Sequence, residues 1–213
     1  MLSQATMGQM YTKDVHFSRF YPMQRKSQAP DYLISFIQDV SIPSDLHSND
    51  AKELFQGRMK ELLQKFWIKG SQSEPYSPWQ VRAELYIREI KGAVWHAMSK
   101  TSAPKCLRDY CTKYQCKLRN LKAHPHFKLQ GRTPYECVVG RTPDISEYLD
   151  YQWYKTVWYR DHDVNFPEDK RKLGKWLGVA HNVGQALCYY ILPKTGRPIV
   201  RSTVQPLTQD EKS

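Results

Sequence analysis

Residues 74–91 read E-P-Y-S-P-W-Q-V-R-A-E-L-Y-I-R-E-I-K. Ser77 suits a helix N-cap, and Pro78 fits the first turn, where a missing N–H leaves no hydrogen bond unmade. On a 3.6-residue period Ser77, Gln80, Glu84, Arg88 and Lys91 share one face, while Ala83, Ile87, Ile90 and Val94 share the apolar one. One carboxylate thus stands in a row of amide and cationic groups. Metal-held acid chemistry beside a phosphate backbone needs such a row. An amphipathic helix with a solvated charged face has the same period, so the spacing alone leaves both readings open.

Upstream, residues 15–22 alternate as a strand should, with Asp14 in the preceding turn. Residues 27–40 read as a helix with Leu33, Phe36, Ile37 and Val40 on one side. A short strand is expected over 42–48. A polar turn from Asn49 then leads into a helix through Leu54, Met59 and Leu63 as far as Gln64, and another short strand covers 66–69. Downstream, Ser102 and Pro104 start a second long helix with the stripe Leu107, Cys111, Tyr114, Leu118 and Leu121, ending around Pro125. Thr133–Gly140 reads as a short helix. From Trp153 onward, aromatic and β-branched runs punctuated by glycine favour a small twisted β-barrel, with a hairpin turn at Lys194–Arg197. The order of elements fits an α/β sheet flanked by helices over residues 1–150, then a small β-domain over 151–213.

The formal charge is +11. Eleven Lys and Arg (Lys91, Lys100, Lys105, Arg108, Lys113, Lys117, Arg119, Lys122, Lys128, Arg132 and Arg141) face only Asp109 and Glu136 in residues 91–141, a net +9 in that window alone. Positive charge concentrated just after the acidic position suits a polyanion such as DNA. Mean hydropathy is −0.68, and no apolar run approaches the roughly 18 residues of a membrane span. The N-terminal residues lack the basic-then-apolar pattern of a secretory signal. Five cysteines without a paired framework point to a reducing, intracellular compartment. Cys106, Cys111 and Cys116 recur every five residues with His124 and His126 beyond, but five helical residues turn about 140°, so the thiols diverge where zinc needs convergent ligands.

Four blocks carry a family resemblance. S-P-x-Q-x-x-A-E (77–84) resembles the last catalytic motif of retroelement integrases, whose Glu completes an Asp-Asp-Glu triad. D-L-H-S-N-D-A-K-E-L (45–54) is similar to the stretch bearing the second Asp. G-R-T-P-Y-E-C-V-V-G-R-T-P-D-I-S-E-Y-L (131–149) resembles a segment of copia-type retrotransposon polyproteins. Residues 172–192 and 199–207 resemble the small domain that follows it.

The resemblance implies a ribonuclease-H-like integrase core, incomplete at its N-terminus, followed by a Src-homology-3-like β-barrel. It implies DNA integration by metal-dependent polynucleotidyl transfer, with Mg2+ or Mn2+ as cofactor, element ends and target DNA as partners, multimeric assembly, and action in the nucleus. The family's first catalytic Asp lies on a strand ahead of this sequence, and Asp14 falls between the second and third strands. Glu84 matches the triad Glu. At the second Asp the chain reads His47-Ser48-Asn49-Asp50, as if Asp-Asn had become Asn-Asp. Asn49 is neutral and a poor cation ligand, and Asp50 is one residue out of register, which on a strand turns the side chain to the other face. Val81 stands where the family has Asn. The catalytic positions are therefore Glu84 with Asn49 or Asp50, the metal positions Asp50 and Glu84, and the DNA-contact candidates Lys52, Gln80, Arg88, Lys91, Lys105, Arg108 and Lys113. Trp95 extends the Glu84 row. The expected function is an integrase fragment with impaired catalysis. The alternative is a non-catalytic DNA- or chromatin-binding module on the same fold.

Overall fold

The computed structural model describes residues 6–11, 15–48, 56–72, 82–123, 125, 129–165, 167–181, 183 and 187–207. Contacts divide the chain into two compact units, Met1–Gly92 with Arg119–Pro143, and Ala93–Leu118 with Asp144–Ser213. This division cuts two helices that both units share, whereas the boundary expected near residue 150 follows a change in sequence character.

In the first unit, β1 (Thr6–Tyr11) pairs antiparallel with β2 (Ser18–Met23). The resemblance implied a strand ahead of Asp14, and β1 occupies that place. Asp14 itself lies outside the described residues. Helix α1 (Ala29–Asp39) has Pro30 in its first turn and buries Pro30, Leu33 and Phe36. β3 (Asp45–Ser48) and β4 (Lys69–Gln72) pair in parallel, from Asp45↔Lys69 to Ser48↔Gln72. Parallel neighbours need a crossover, and α2 (Gly57–Lys65) provides it. Leu33, Met59, Leu62, Leu63 and Ile68 form one buried cluster with Leu46 against it. His47 Nδ1 meets Ser71 Oγ at 2.8 Å across the register pair. The strand expected over 66–69 starts three residues later. Phe66 N–H donates to Leu62 O, closing α2, and Trp67 takes a left-handed turn at φ 56°. The four strands form two separate two-stranded sheets rather than one continuous α/β sheet among the described residues.

Helix α3 (Arg82–Thr101) buries Tyr86, Ile90 and Val94. Ala83 and Ile87 are half-buried, so Tyr86 belongs to the apolar face that the sequence pattern assigned to aliphatic residues alone. The Tyr86 hydroxyl donates to His16 O at 2.6 Å. Helix α4 (Arg108–Leu121) carries Asn120, only 2% exposed. Ser18 N–H donates to its Oδ1 at 2.9 Å, and its Nδ2 donates to Ser18 O at 2.7 Å, so one amide satisfies both backbone groups at the start of β2. The short helix α5 (Pro134–Val139) follows the pattern read from sequence. Thr133 and Glu136 form a capping box, and Gly140 closes the helix.

In the second unit, α6 (Ser146–Asp150) precedes a five-stranded antiparallel sheet of β5 (Thr156–Arg160), β6 (Arg171–Val179), β7 (Tyr189–Pro193), β8 (Ile199–Arg201) and β9 (Val204–Pro206), in the order β8-β7-β6-β5-β9. Four strands meander, and the last returns beside the first. The expected hairpin turn is present, with Gly196 N–H donating to Pro193 O at 3.1 Å and Gly196 at φ 77°, a conformation glycine adopts without strain. The expected small twisted β-barrel does not close among the described residues. No ladder joins β8 to β9 among the described residues. The sheet is nonetheless curled. Five flat strands would hold their outer members about 19 Å apart, while the three Cα steps from Arg201 to Val204 reach at most about 11 Å.

The concave core holds Tyr151, Val157, Tyr159, Trp176, Tyr189 and Ile191, with Tyr114 and Tyr148 packed against it. Burial raises the Tyr189 phenol to about 12. A Cβ on Gly174 would lie 2.5 Å from Ile191 Cγ2, so only glycine allows β6 and β7 to approach as they do.

Asp161, just beyond β5, accepts from Lys172 Nζ at 2.9 Å and Arg201 at 3.3 Å, tying β6 and β8 together. The Lys172 hydrogen bond above all, then Asp163 N–H and Arg201, hold its carboxyl below the usual carboxylate range. A folded pKa below the unfolded one stabilises the fold above the unfolded value of about 4 and loses that contribution as pH falls through the depressed folded value. Asp161→Asn should therefore lower Tm at neutral pH, and thermal melts should show the gap to the parent narrowing progressively as pH drops below about 4.

Candidate functional site

Glu84 lies in the first turn of α3, where a carboxylate interacts favourably with the helix N-terminus. Glu84, Arg88 and Lys91 are spaced by four and three residues and all three are exposed, so they share one face of α3 as the sequence period requires. This is the part of the expected site that the first unit brings together. Asn49, Asp50, Lys52 and Gln80 lie outside the described residues. β3 ends at Ser48, immediately before Asn49 in sequence, and is paired there with the last residue of β4.

The remaining expected DNA contacts, Lys105, Arg108 and Lys113, belong to the second unit and are exposed. Arg108 Nε stands 3.8 Å from Asp109. Trp95, 72% exposed, also falls in the second unit. Arg119 is another cation of the basic window. It bonds Glu89 and lies over the Tyr86 ring at 4.2 Å, so its charge is committed within the first unit. The thiols do not act together. Cys111 and Cys116 are buried and Cys106 is exposed, and burial pushes the Cys111 thiol up to about 12.

The magnesium or manganese implied by the resemblance needs hard oxygen donors, and a pair of such ions needs carboxylates. Among the described residues, no group of three or more His, Cys, Asp or Glu is placed to hold a metal ion. Of the two expected metal positions, Glu84 offers one carboxylate among the described residues, and Asp50 lies outside them. A single carboxylate does not by itself hold paired divalent cations.

The sequence period missed a second group of residues. Of the aromatic-rich segment 148–159, Tyr151, Trp153 and Tyr159 are buried, but Trp158 shares a concavity of about 300 Å³ with Arg160, Lys170 and Arg171. The signal was the T-V-W-Y-R alternation, which puts Trp158 and Arg160 on one face.

No family model and no curated protein matches the sequence. Solved structures do. A chain of the simian T-cell lymphotropic virus intasome, solved in complex with the PP2A regulatory subunit B56 gamma, is similar over 96% of this chain and 77% of its own length, at 14% identity and a TM-score of 0.51. The HTLV-2 integrase catalytic core domain in complex with magnesium covers 63% of this chain and 93% of its own, at 10% identity and a TM-score of 0.45. The catalytic core domain of BIV integrase covers 68% and 96%, at 19% identity and a TM-score of 0.47. Among the described residues no helix is long and apolar enough to cross a membrane. At these identities the likeness speaks for the fold alone, and on the strength of the first match that fold is an α/β one similar to a chain of a retroviral intasome.

Proposed function

We propose that this chain is the core and small-domain portion of a copia-type retrotransposon integrase that keeps DNA binding and has impaired strand transfer. The observation that carries the reading is Glu84 on an exposed face of α3 with Arg88 and Lys91, within an integrase-like fold. The two cations one and two turns beyond the carboxylate suit a phosphate backbone passing over the helix. Asn49 removes the charge that would hold a divalent ion opposite Glu84. The strand order β8-β7-β6-β5-β9 supports a Src-homology-3-like assignment for the small domain, and the four sequence blocks support the copia-type assignment. The reading carries with it DNA as partner, a multimeric state and a nuclear site of action. A non-catalytic DNA- or chromatin-binding module is the second reading, favoured by the same Asn49. It predicts no divalent-ion dependence of DNA binding.

Two measurements check the proposal. Incubated with short duplex ends and Mg2+ or Mn2+, the protein should yield no joined product on a sequencing gel, and efficient joining would show the impaired reading to be wrong. In a salt titration of duplex binding, the double variant Arg88→Gln, Lys91→Gln should flatten the log–log slope by about 2, since each phosphate contact contributes about 0.9. An unchanged slope would remove α3 from the DNA interface.

A further inference from the structure

On the outer face of the second unit's sheet, Arg160 of β5 lies directly opposite Arg171 of β6 in the antiparallel register. Directly opposite residues project from the same face, and like charges in that relation destabilise a sheet. Lys170 adds a third cation to the same concavity of about 300 Å³. Among the described residues neither Arg160 nor Lys170 forms an ion pair. Asp169 is the acid at this rim, and its Oδ1 accepts from Arg171 N–H at 2.8 Å. The neighbouring acids Asp161 and Asp163 are engaged by Lys172 and Arg201.

The concavity also holds a flat stack. The Arg171 guanidinium lies over the Trp158 ring at 4.7 Å. Trp158 is half-buried, flanked in register by Leu173 on one side and Gln205 on the other. An indole beneath a guanidinium fixes the cation's plane and presents a platform on which a further ring can stack. Gln205 and Thr203 place polar side chains at the same rim. A cationic cluster built at a cost to the sheet points to an anionic ligand. A planar stack within it points to a ligand that is also aromatic.

We infer that this face is a site for single-stranded nucleic acid, in which an unpaired base continues the Trp158–Arg171 stack and the adjoining phosphate sits between Arg160 and Lys170. A duplex keeps its bases stacked on one another and offers this platform only phosphate, whereas a single strand offers both groups. The inference goes beyond the proposed function and does not rest on it, because none of these residues belongs to α3 or to the triad positions.

Fluorescence anisotropy with a labelled twelve-nucleotide oligo(dT), and with a duplex of the same length, tests it on the full chain. Arg171→Gln and Trp158→Ala should each weaken oligo(dT) binding by about tenfold, in line with the stacking of one base, and change duplex binding less than about twofold. An oligonucleotide of abasic sites should bind the parent protein as weakly as oligo(dT) binds Trp158→Ala. Arg160→Gln should weaken oligo(dT) binding while raising Tm by about 1 °C, because it relieves the like-charge pair. That combination keeps the test decisive should Trp158→Ala fail to fold. Oligo(dT) binding unchanged in Arg160→Gln and Arg171→Gln would overturn the inference. So would an equal loss on duplex, or displacement of oligo(dT) by polyglutamate as effective as by unlabelled oligo(dT).

Discussion

Trp176→Ala should destabilise the second unit by about 3–5 kcal/mol, the cost of emptying a large aromatic site in a packed core. Trp176 is fully buried at 0% exposure. Tyr151 stacks on it at 5.7 Å, Tyr114 meets it edge-on at 5.6 Å and 89°, and Tyr148 and Tyr189 lie at 6.5 and 6.3 Å. The four rings come from α4, α6, β7 and the segment before β5, so the indole is the common contact of elements distant in sequence. Removing it leaves a void that rigid aromatic neighbours fill poorly. In urea the midpoint of the second unit's transition should fall by about 1–2 M. Trp176→Phe should cost less than half as much, since the ring is largely retained and the buried indole Nε1, which has no hydrogen-bond partner among the described residues, is removed. Equal losses for the two variants would mean that ring packing is not what holds this unit.

The second large effect is expected at Asn120. Its alanine variant strips the partner from both Ser18 N–H and Ser18 O, which are buried with a residue only 1% exposed. Each abandoned buried group costs about 1–3 kcal/mol, so Asn120→Ala should lose about 2–5 kcal/mol. Hydrogen exchange gives a local signature that a global loss does not. The Ser18 amide should lose protection before the rest of β2. Asn120→Asp keeps the acceptor for Ser18 N–H but sets a carboxylate oxygen against Ser18 O, and should be at least as damaging. If Ser18 keeps its protection in Asn120→Ala, water has replaced the amide and the anchor is not essential.

These two residues also mark where sequence reading stopped. Helix α3, α5 with its capping box and the Lys194–Arg197 turn rest on local chemistry, and local chemistry is what a sequence shows. The face carrying Glu84, Arg88 and Lys91 followed from the same local rule. Tyr86 was missed because a tyrosine fits either face, and its hydroxyl partner, His16 O, is 70 residues away in sequence. β1 has no strong alternation in T-M-G-Q-M-Y, so only the resemblance pointed to a strand there, and its strand character comes from pairing with β2. Phe66 looked like the start of a strand, but the end of α2 captures its N–H. The meeting of Arg160 and Arg171 depends on the register across the connection between β5 and β6, which no local signal sets. The small twisted barrel was expected from aromatic and β-branched runs punctuated by glycine, and no ladder closes it among the described residues.

The two-residue link between β8 and β9 has a consequence for solubility. Exposed rims of antiparallel sheets are templates on which another copy can add a strand and begin a polymer. Here the curl brings both rims close enough at the link that an incoming chain of another molecule finds little room between them. Each rim is also only three residues long. Short rims joined by a tight link leave the second unit's sheet little edge on which another copy could add a strand.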